Sequence, residues 1–315
     1  MTIAIVAGLL FLAIVPHVAT LENASPAPAI AVWLGVLVVR ALVVALGIFW
    51  LISFVPATQV FTEITHWCWH AVIPWSATHL GIDGHALGDL ATLLPVAFAL
   101  FSLASVVYGI VRAVRAVQRF VRSTRVGAGP RESILVREDS VLLAVVGIAR
   151  PRVIVSNGAL RRLDSEELAA GIEHERGHIG RQHQRILLLA ELCRGLARLL
   201  PGTDRAMREL IFHAERDADQ WALRRDHDPS VLASAICKAA LSPATAVAPA
   251  LTGGQTTRRV RLLLDERGNG RSRDGVACAI ATTLTVVALM FVAAVPDTVA
   301  SASVGARAAG AAYTC

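Results

Sequence analysis

The sequence predicts a mainly α-helical integral membrane protein with about four transmembrane helices and one polar insertion between the third and the fourth. Of the 315 residues, 55% are hydrophobic and 17% are charged, and the mean hydropathy is +0.57. A soluble domain usually carries about 25% charged residues, so this composition indicates a membrane protein. It excludes a disordered, collagen-like or disulfide-dense secreted chain, since the apolar content is high and the five cysteines form no CxxC pair.

Four apolar stretches approach or exceed the roughly 20 residues that cross a bilayer. The first begins at Thr2 and ends at Val15, or at Leu21 if the helix continues past Pro16. We expect it to be a retained helix; the alternative is a signal peptide, which would lack its usual basic start. The other predicted spans cover residues 29–55, 90–111 and 276–295.

Arginines flank the segment between the last two predicted spans. They are Arg112, Arg115, Arg119, Arg122 and Arg125 on one side and Arg267, Arg271 and Arg273 on the other. Because cytoplasmic loops carry an excess of arginine, we expect this segment to lie on the cytoplasmic side of a bacterial cell membrane. The arginines are then explained by the membrane topology, and we expect no direct nucleic-acid partner. The predicted organisation is two N-terminal spans (1–55), an outer loop (56–89), a third span (90–111), a cytoplasmic domain (112–275), a fourth span (276–295) and a short outer tail (296–315).

Two features of the membrane region leave alternatives open. Arg40 lies within the second span, where a charge either faces a bundle interior or an aqueous cavity, or snorkels to the interface. His66 and His70 are four residues apart in the outer loop and would share a helix face that could bind a metal. We favour the simpler interpretation of that loop as an interfacial segment, since three tryptophans accompany the histidines.

The cytoplasmic segment is predicted to contain a small sheet followed by helices. Residues 134–136, 141–146 and 152–155 are short and rich in β-branched residues, and Pro151 favours an edge position for the last of them. Asp164 and Glu167 form a capping-box pattern, which predicts a helix from there to at least residue 179. Further helices are predicted over residues 185–200, 207–225, 230–240 and 257–264.

The first of these helices contains the pattern HExxH at residues 174–178. Residues four apart lie one above the other on a helix, so His174 and His178 can both reach one zinc ion. Glu175 is placed to take a proton from an attacking water as general base. The alternative for this pattern alone is a charged, solvated helix face.

A second pattern, ExxxD, supplies the remaining groups that a catalytic zinc site needs. Such a site uses three protein ligands and one open position, and Glu215 can be the third ligand. Asp219 shares its helix face and can accept the free ring N–H of a ligating histidine, which fixes the orientation of that ring. The alternative, solvated acids paired with arginines, is less compatible with the presence of both motifs.

The order of these motifs resembles that of the BlaR/MecR peptidases, which are membrane-embedded zinc metallopeptidases of the gluzincin type. The resemblance rests on residues 147–155 (GIARPRVIV), 163–168 (LDSEEL), 174–178 (HExxH) and 215–219 (ExxxD). It covers residues 90–275 well and the first two spans loosely. HtpX and the CAAX prenyl endopeptidases are more distant relatives of the same group.

The resemblance implies one Zn²⁺ ion held by His174, His178 and Glu215 in a gluzincin-type domain between the third and fourth spans. It implies that Glu175 is the catalytic base and that Asp219 is the supporting acid, holding His174.

The resemblance also implies a mode of substrate binding and a substrate. The predicted edge strand near residues 152–155 would pair with an extended peptide by strand addition. In BlaR/MecR the substrate is a DNA-binding repressor of BlaI type, and its cleavage releases transcription of resistance genes. We therefore expect a membrane-bound zinc endopeptidase in an antibiotic-response signalling pathway. Its partners would be a protein substrate and the lipid bilayer, with a homodimer left open.

The chain departs from these relatives in how it could sense a stimulus. The BlaR/MecR sensors carry an extracellular penicillin-binding domain after the last span, whereas only residues 296–315 follow it here, and the sequence has no Ser-x-x-Lys motif. Because Lys238 is the one lysine, we do not expect direct acylation by a β-lactam. A stimulus would instead act through the outer loop, the spans or a partner.

Two other functions remain as alternatives. One is an HtpX-like protease for membrane-protein quality control, which uses the same chemistry. The other is a non-enzymatic transducer with a structural zinc, against which the intact Glu175 argues. For the stabilisation of the oxyanion we consider His183, His213 and Arg224 as candidates.

Overall fold

The computed structural model describes residues 2–54, 84–242 and 255–265, together with 275, 278–284 and 286. The predicted features at His66 and His70, most of the fourth span and the tail at 296–315 lie outside the described residues.

The described chain is mostly helical with one small sheet, as the sequence predicts. The helices are α1 (Thr2–Val18), α2 (Pro26–Phe54), α3 (Gly84–Thr124), α4 (Asn157–Arg162), α5 (Ser165–Gly180), α6 (His183–Leu196), α7 (Thr203–Leu223), α8 (Pro229–Ala240) and α9 (Thr256–Leu264). The strands are β1 (Arg125–Ala128), β2 (Ile134–Val136), β3 (Leu143–Val146) and β4 (Arg152–Ser156).

The position of β4 in the sheet differs from the prediction. The strand order is β1-β2-β4-β3, so β4 pairs in parallel with β2 and antiparallel with β3. The prediction that residues 152–155 form an edge strand is therefore wrong. Gly147, with φ of +92°, starts the turn after β3 that brings β4 back alongside it, and β2 pairs with the other edge of β4. The two edge strands are β1 and β3, and β4 lies inside the sheet.

The start of α5 confirms the predicted capping box. The Asp164 carboxylate accepts hydrogen bonds from the backbone N–H groups of Glu166 and Glu167, and the Glu167 carboxylate accepts one from the Asp164 N–H. The buried Glu167 carboxylate also accepts hydrogen bonds from Ser234 and Lys238 of α8, both at 2.6 Å. One side chain therefore caps α5 and attaches α8 to it.

Close contact between α5 and α7 depends on two glycines. Trp221 of α7 packs over Gly177 and Gly180 of α5. A Cβ at Gly177 would lie 2.9 Å from Trp221 Cβ and 3.1 Å from Ala218 Cα, which real Cβ atoms almost never do. The absence of side chains at these glycines lets α7 lie directly against the helix that carries HExxH.

We predict that Gly177→Ala lowers the free energy of unfolding by about 1–3 kcal/mol, because the added methyl group overpacks this contact. Chemical denaturation of the purified protein in detergent would measure the change. Gly109→Ala is the matched control, since Gly109 is also helical but a Cβ there meets no atom within 4 Å. Equal losses of stability in the two variants would contradict the assignment of this contact.

Helix α2 forms one wall of the protein core. It runs antiparallel to α7, since Arg216 donates to Ala24 O just before α2 begins and Arg40 lies beside Thr203 at the start of α7. Its buried residues Trp33 and Leu37 belong to the same apolar cluster as Leu210 of α7. The second predicted span is therefore also a packing partner of the helix that carries Glu215.

Arg40 faces the interior of this helix bundle, the first of the two alternatives left open by the sequence. Its side chain is 1% exposed. It donates hydrogen bonds to Leu12 O, Pro201 O and the Thr203 hydroxyl. Three acceptors, one from α1, one from the α6–α7 connection and one from the first residue of α7, thus compensate the burial of the guanidinium.

We predict that Arg40→Lys destabilises the protein although the charge is kept. A lysine cannot reach three divergent acceptors at once, and each lost hydrogen bond to a charged group costs about 1.5–3 kcal/mol. Denaturation midpoints in detergent would measure this, with the exposed Arg198→Lys in the α6–α7 connection as the control. A stability equal to wild type would show that the guanidinium contacts do not hold α2 in place.

Two helices of the described chain are long and apolar enough to cross a membrane, at Pro26–Ile48 and Leu100–Thr124. On α3, Leu100, Phe101 and Tyr108 are more than 60% exposed, as expected of a surface that contacts lipid. Half of the α2 segment is buried inside the protein, and a core helix meets the same criteria of length and composition. The structure thus supports membrane association weakly, and the four spans and their orientation stay predictions.

Candidate metal centre

Three side chains converge where α5 and α7 touch. His174 Nε2 and His178 Nε2 are 3.2 Å apart, and each lies 3.5 Å from a carboxylate oxygen of Glu215. These are the three ligands that the sequence predicts, and they form a cluster able to hold a metal ion.

The spacing of these atoms fits tetrahedral zinc. Zinc binds histidine nitrogen and carboxylate oxygen at about 2.0–2.1 Å, so ligand atoms of a tetrahedral site are about 3.3 Å apart. The observed separations of 3.2 and 3.5 Å lie close to that value. Three protein ligands leave one position open, as in catalytic rather than structural zinc sites.

The surroundings shift the pKa values of His174 and His178 in opposite directions. Burial lowers the pKa of His178 to about 3, so its ring is neutral and able to bind a metal. Burial also acts to lower the pKa of His174, but the Asp219 and Glu215 carboxylates outweigh it and raise this pKa to about 10. A metal ion at this site would therefore displace a proton from His174.

Glu175 lies beside the cluster with its carboxylate near β3. Burial raises its pKa to about 7, with a further contribution from the negative charge of Glu215. The Val145 N–H of β3 donates a hydrogen bond to the carboxylate, which opposes this shift in part. A carboxylate with a pKa near neutrality is suited to accept and return a proton.

Asp219 lies against the ring of His174, where the sequence analysis places a supporting acid. The distance between Asp219 Oδ1 and His174 Nδ1 is 2.9 Å, which leaves Nε2 of the ring for the metal. Asp219 is 3% exposed, and its pKa lies below the usual value for an aspartate. Burial would raise that pKa, but the charge of Arg259 and the hydrogen bond with His174 outweigh burial.

Arg259 of α9 is a site residue that the sequence reasoning missed. Its guanidinium lies 2.6 Å from Glu215 Oε2 and makes two contacts with Asp219, at 2.7 and 3.1 Å. The charge of Arg259 lowers the pKa of Glu215 against the effect of burial. The one sequence signal was an arginine on a short amphipathic helix, which does not point to any particular site.

The open edge of the sheet lies next to this cluster. Ser156 N–H donates to Leu142 O, and Leu142 N–H donates to the Ser156 side chain, so these two residues face each other. In an antiparallel pair, every second residue of a strand points its backbone N–H and C=O at the partner strand, and the residues between point theirs away from it. The backbone groups of Leu142 point at β4, so those of Leu143 and Val145 point to the open side of β3. The Val145 N–H contact with Glu175 agrees with this phase.

A cavity of about 420 Å³ adjoins the cluster, with Glu215 and Arg259 in its wall. The rest of its lining is mainly apolar and comes from α3, the β3–β4 turn, α6 and α7. Ile110, Leu187, Met207 and Ile211 are among these residues. The space is large enough for one or two apolar side chains of a bound peptide.

The three candidates for oxyanion stabilisation occupy other places. His183 lies behind His178, with the Nδ1 atoms of the two rings 2.9 Å apart. His213 is buried and contacts Phe212 and Arg216, while Arg224 bonds to Gln220. His183 thus contacts the His178 ring from behind, on the side away from the ligating Nε2, and the contacts of His213 and Arg224 do not include the three predicted ligands. These contacts give no support for an oxyanion role.

Comparison with known proteins gives one result. Residues 112–208 match the family model of peptidase family M48. The match includes the HExxH helix and ends before Glu215, and it supports a metallopeptidase of the M48 type, a group that is typically zinc-dependent. It does not single out the BlaR/MecR peptidases. No curated protein and no solved structure matched the chain.

We predict that Asp219→Asn weakens zinc binding by about 10- to 100-fold, because the ring of His174 loses its anionic partner. Competition with a chromophoric chelator would measure the dissociation constant. Asp204→Asn on the same helix is the matched control, since Asp204 is exposed and pairs with Arg194. An unchanged dissociation constant for Asp219→Asn would show that Asp219 does not support the metal.

Proposed function

We propose that the chain is a membrane-bound, zinc-dependent endopeptidase whose active site faces the cytoplasm. The observation that carries the proposal is the cluster of His174, His178 and Glu215 with Glu175 beside it. The M48 match supports peptidase chemistry at such a site. The two apolar helices and the arginines that flank residues 112–275 support the proposed location.

Each residue of the site has a separate role in the proposed peptide hydrolysis. Zinc, when bound by the three ligands, would polarise the scissile carbonyl and acidify a water molecule. Glu175 takes the proton from the attacking water and returns it to the leaving amine. Asp219 keeps His174 in its ligating orientation, and Arg259 offsets the negative charge of Glu215 and Asp219.

The substrate is proposed to bind as an extended strand along β3. The backbone groups of Leu143 and Val145 face the open edge of the sheet, where an added strand would pair, and the Val145 N–H lies close to the Glu175 carboxylate. This assigns to β3 the role that the sequence analysis gave to residues 152–155. The apolar cavity beside Glu215 and Arg259 would take side chains of the same peptide.

The test of the proposal is a pair of measurements on the purified protein in detergent. We predict that Glu175→Gln binds one zinc ion per chain, as wild type does, and that its rate of peptide cleavage falls by about 10²- to 10⁴-fold. Elemental analysis would measure bound zinc, and the loss of a co-expressed candidate repressor would measure cleavage. Glu166→Gln is the matched control, because Glu166 is exposed in the first turn of the same helix. Full activity in Glu175→Gln, or no zinc in wild type, would refute the proposal.

For the biological role we propose cleavage of a cytoplasmic repressor of BlaI type, on the basis of the BlaR/MecR resemblance. An HtpX-like role in quality control is equally compatible with the M48 match. Proteomics on cells that carry Glu175→Gln would separate the two. Accumulation of one intact repressor supports signalling, whereas accumulation of many misfolded membrane proteins supports quality control.

A further inference from the structure

We propose that His183 and Asp217 form a hydrogen-bonded chain that positions His178 for the metal. The two histidine ligands would then each be held by a carboxylate of α7, His174 directly by Asp219 and His178 through His183 by Asp217. This inference rests on the metal site of the proposed function and extends it to His183, which follows the HExxH motif, and to Asp217, which occupies a variable position of ExxxD.

The geometry places His183 directly behind His178. The two Nδ1 atoms are 2.9 Å apart, which is a hydrogen-bond distance, and the rings meet edge to face with centroids 5.0 Å apart. His183 is fully buried at the first residue of α6. Gln182 just before it has a left-handed backbone with φ of 56°, which turns the chain sharply after α5. A non-glycine residue in this conformation is uncommon, so the turn that delivers His183 is a specific one.

The far side of the His183 ring meets Asp217. His183 Nε2 lies 3.3 Å from Asp217 Oδ2, and Arg181 Nε lies 3.2 Å from the same oxygen. Asp217 is 4% exposed. The His183 ring and the Arg181 guanidinium both face this oxygen, so the Asp217 carboxylate is placed as the final acceptor of the chain.

The α7 helix can reach both histidines because successive residues turn by about 100° around its axis. Ala218 lies against Gly177 of α5, so it marks the face of α7 that touches the HExxH helix. Glu215 and Asp219 leave the helix on one flank of that face, toward the metal ligands. Asp217 leaves on the opposite flank, toward His183.

Metal binding defines the direction of every hydrogen bond in the chain. When His178 Nε2 gives its lone pair to a metal, the neutral ring carries its proton on Nδ1. That N–H donates to His183 Nδ1, which must then be an acceptor, so His183 carries its own proton on Nε2. In the proposed chain this N–H is the donor to Asp217, whose Oδ2 lies 3.3 Å from His183 Nε2. One arrangement of protons satisfies all the groups, and it keeps His178 in the tautomer that binds zinc.

The experiment is a double-mutant cycle read out as zinc affinity of the full-length protein in detergent, by competition with a chromophoric chelator. His183→Leu is expected to weaken zinc binding by about 10- to 100-fold, and Asp217→Asn by on the order of 10-fold. The double variant should bind no more weakly than His183→Leu, because Asp217 acts only through His183. His183→Asn should recover part of the affinity, since its side-chain oxygen can replace Nδ1 as acceptor.

The matched control is His213→Leu, another fully buried histidine whose contacts are Phe212 and Arg216. It should lower the unfolding midpoint without changing zinc affinity. If His183→Leu fails to fold, Asp217→Asn and His183→Asn still decide the question. Wild-type affinity in both of these variants, additive losses in the cycle, or an equal loss in His213→Leu would overturn the inference.

Failure of this inference can be separated from failure of the proposed function. If wild type binds no zinc, both fall together. If the cycle behaves as expected and no cleavage of any protein is found, the positioning chain stands and the endopeptidase assignment falls. If Glu175→Gln abolishes cleavage while the His183 variants bind zinc normally, the enzyme assignment stands and the chain is refuted.

Discussion

The contact between α5 and α7 is the interaction on which the candidate site depends. Gly177 and Gly180 leave a shallow surface on α5, and Trp221 and Ala218 of α7 fill it. At this short distance Glu215 reaches the two histidines of the other helix, which a helix pair at the usual separation of 8–10 Å need not allow. The apolar core that includes α2 holds α7 from its other side.

The charges of the site are balanced by groups that come from distant parts of the chain. Arg259 offsets two buried carboxylates, and its position depends on the anchoring of α9. Its neighbour Arg258 pairs with Glu209 of α7 and with Glu22 in the connection between α1 and α2. The first helical hairpin of the chain is therefore tied, through two adjacent arginines, to the carboxylates that flank the metal ligands.

The same helices serve the candidate membrane region and the candidate enzyme. Because α2 lies antiparallel to α7, the α6–α7 connection lies beside the middle of α2, where Arg40 bonds to Pro201 O and to Thr203. A charge within an apolar helix is thus satisfied by a backbone acceptor of the connection that leads into the helix carrying Glu215 and by the hydroxyl of the first residue of that helix. Ser102 of α3 likewise donates to Gly195 O of α6. The helices around the candidate metal centre thus contact both of the described helices that are apolar enough to cross a membrane.

Features that depend on local periodicity could be predicted from the amino-acid sequence. HExxH and ExxxD could be recognised because side chains three or four residues apart share a helix face, and the capping box could be recognised because all its partners lie within four residues. The folded structure was needed to show that β4 lies inside the sheet with β3 at one edge, and that Arg259 and His183 contact the predicted ligands. Strand order, the approach of α9 and the sharp turn at Gln182 arise from contacts between segments far apart in the chain or from one unusual backbone conformation. Neither leaves a periodic trace in the sequence.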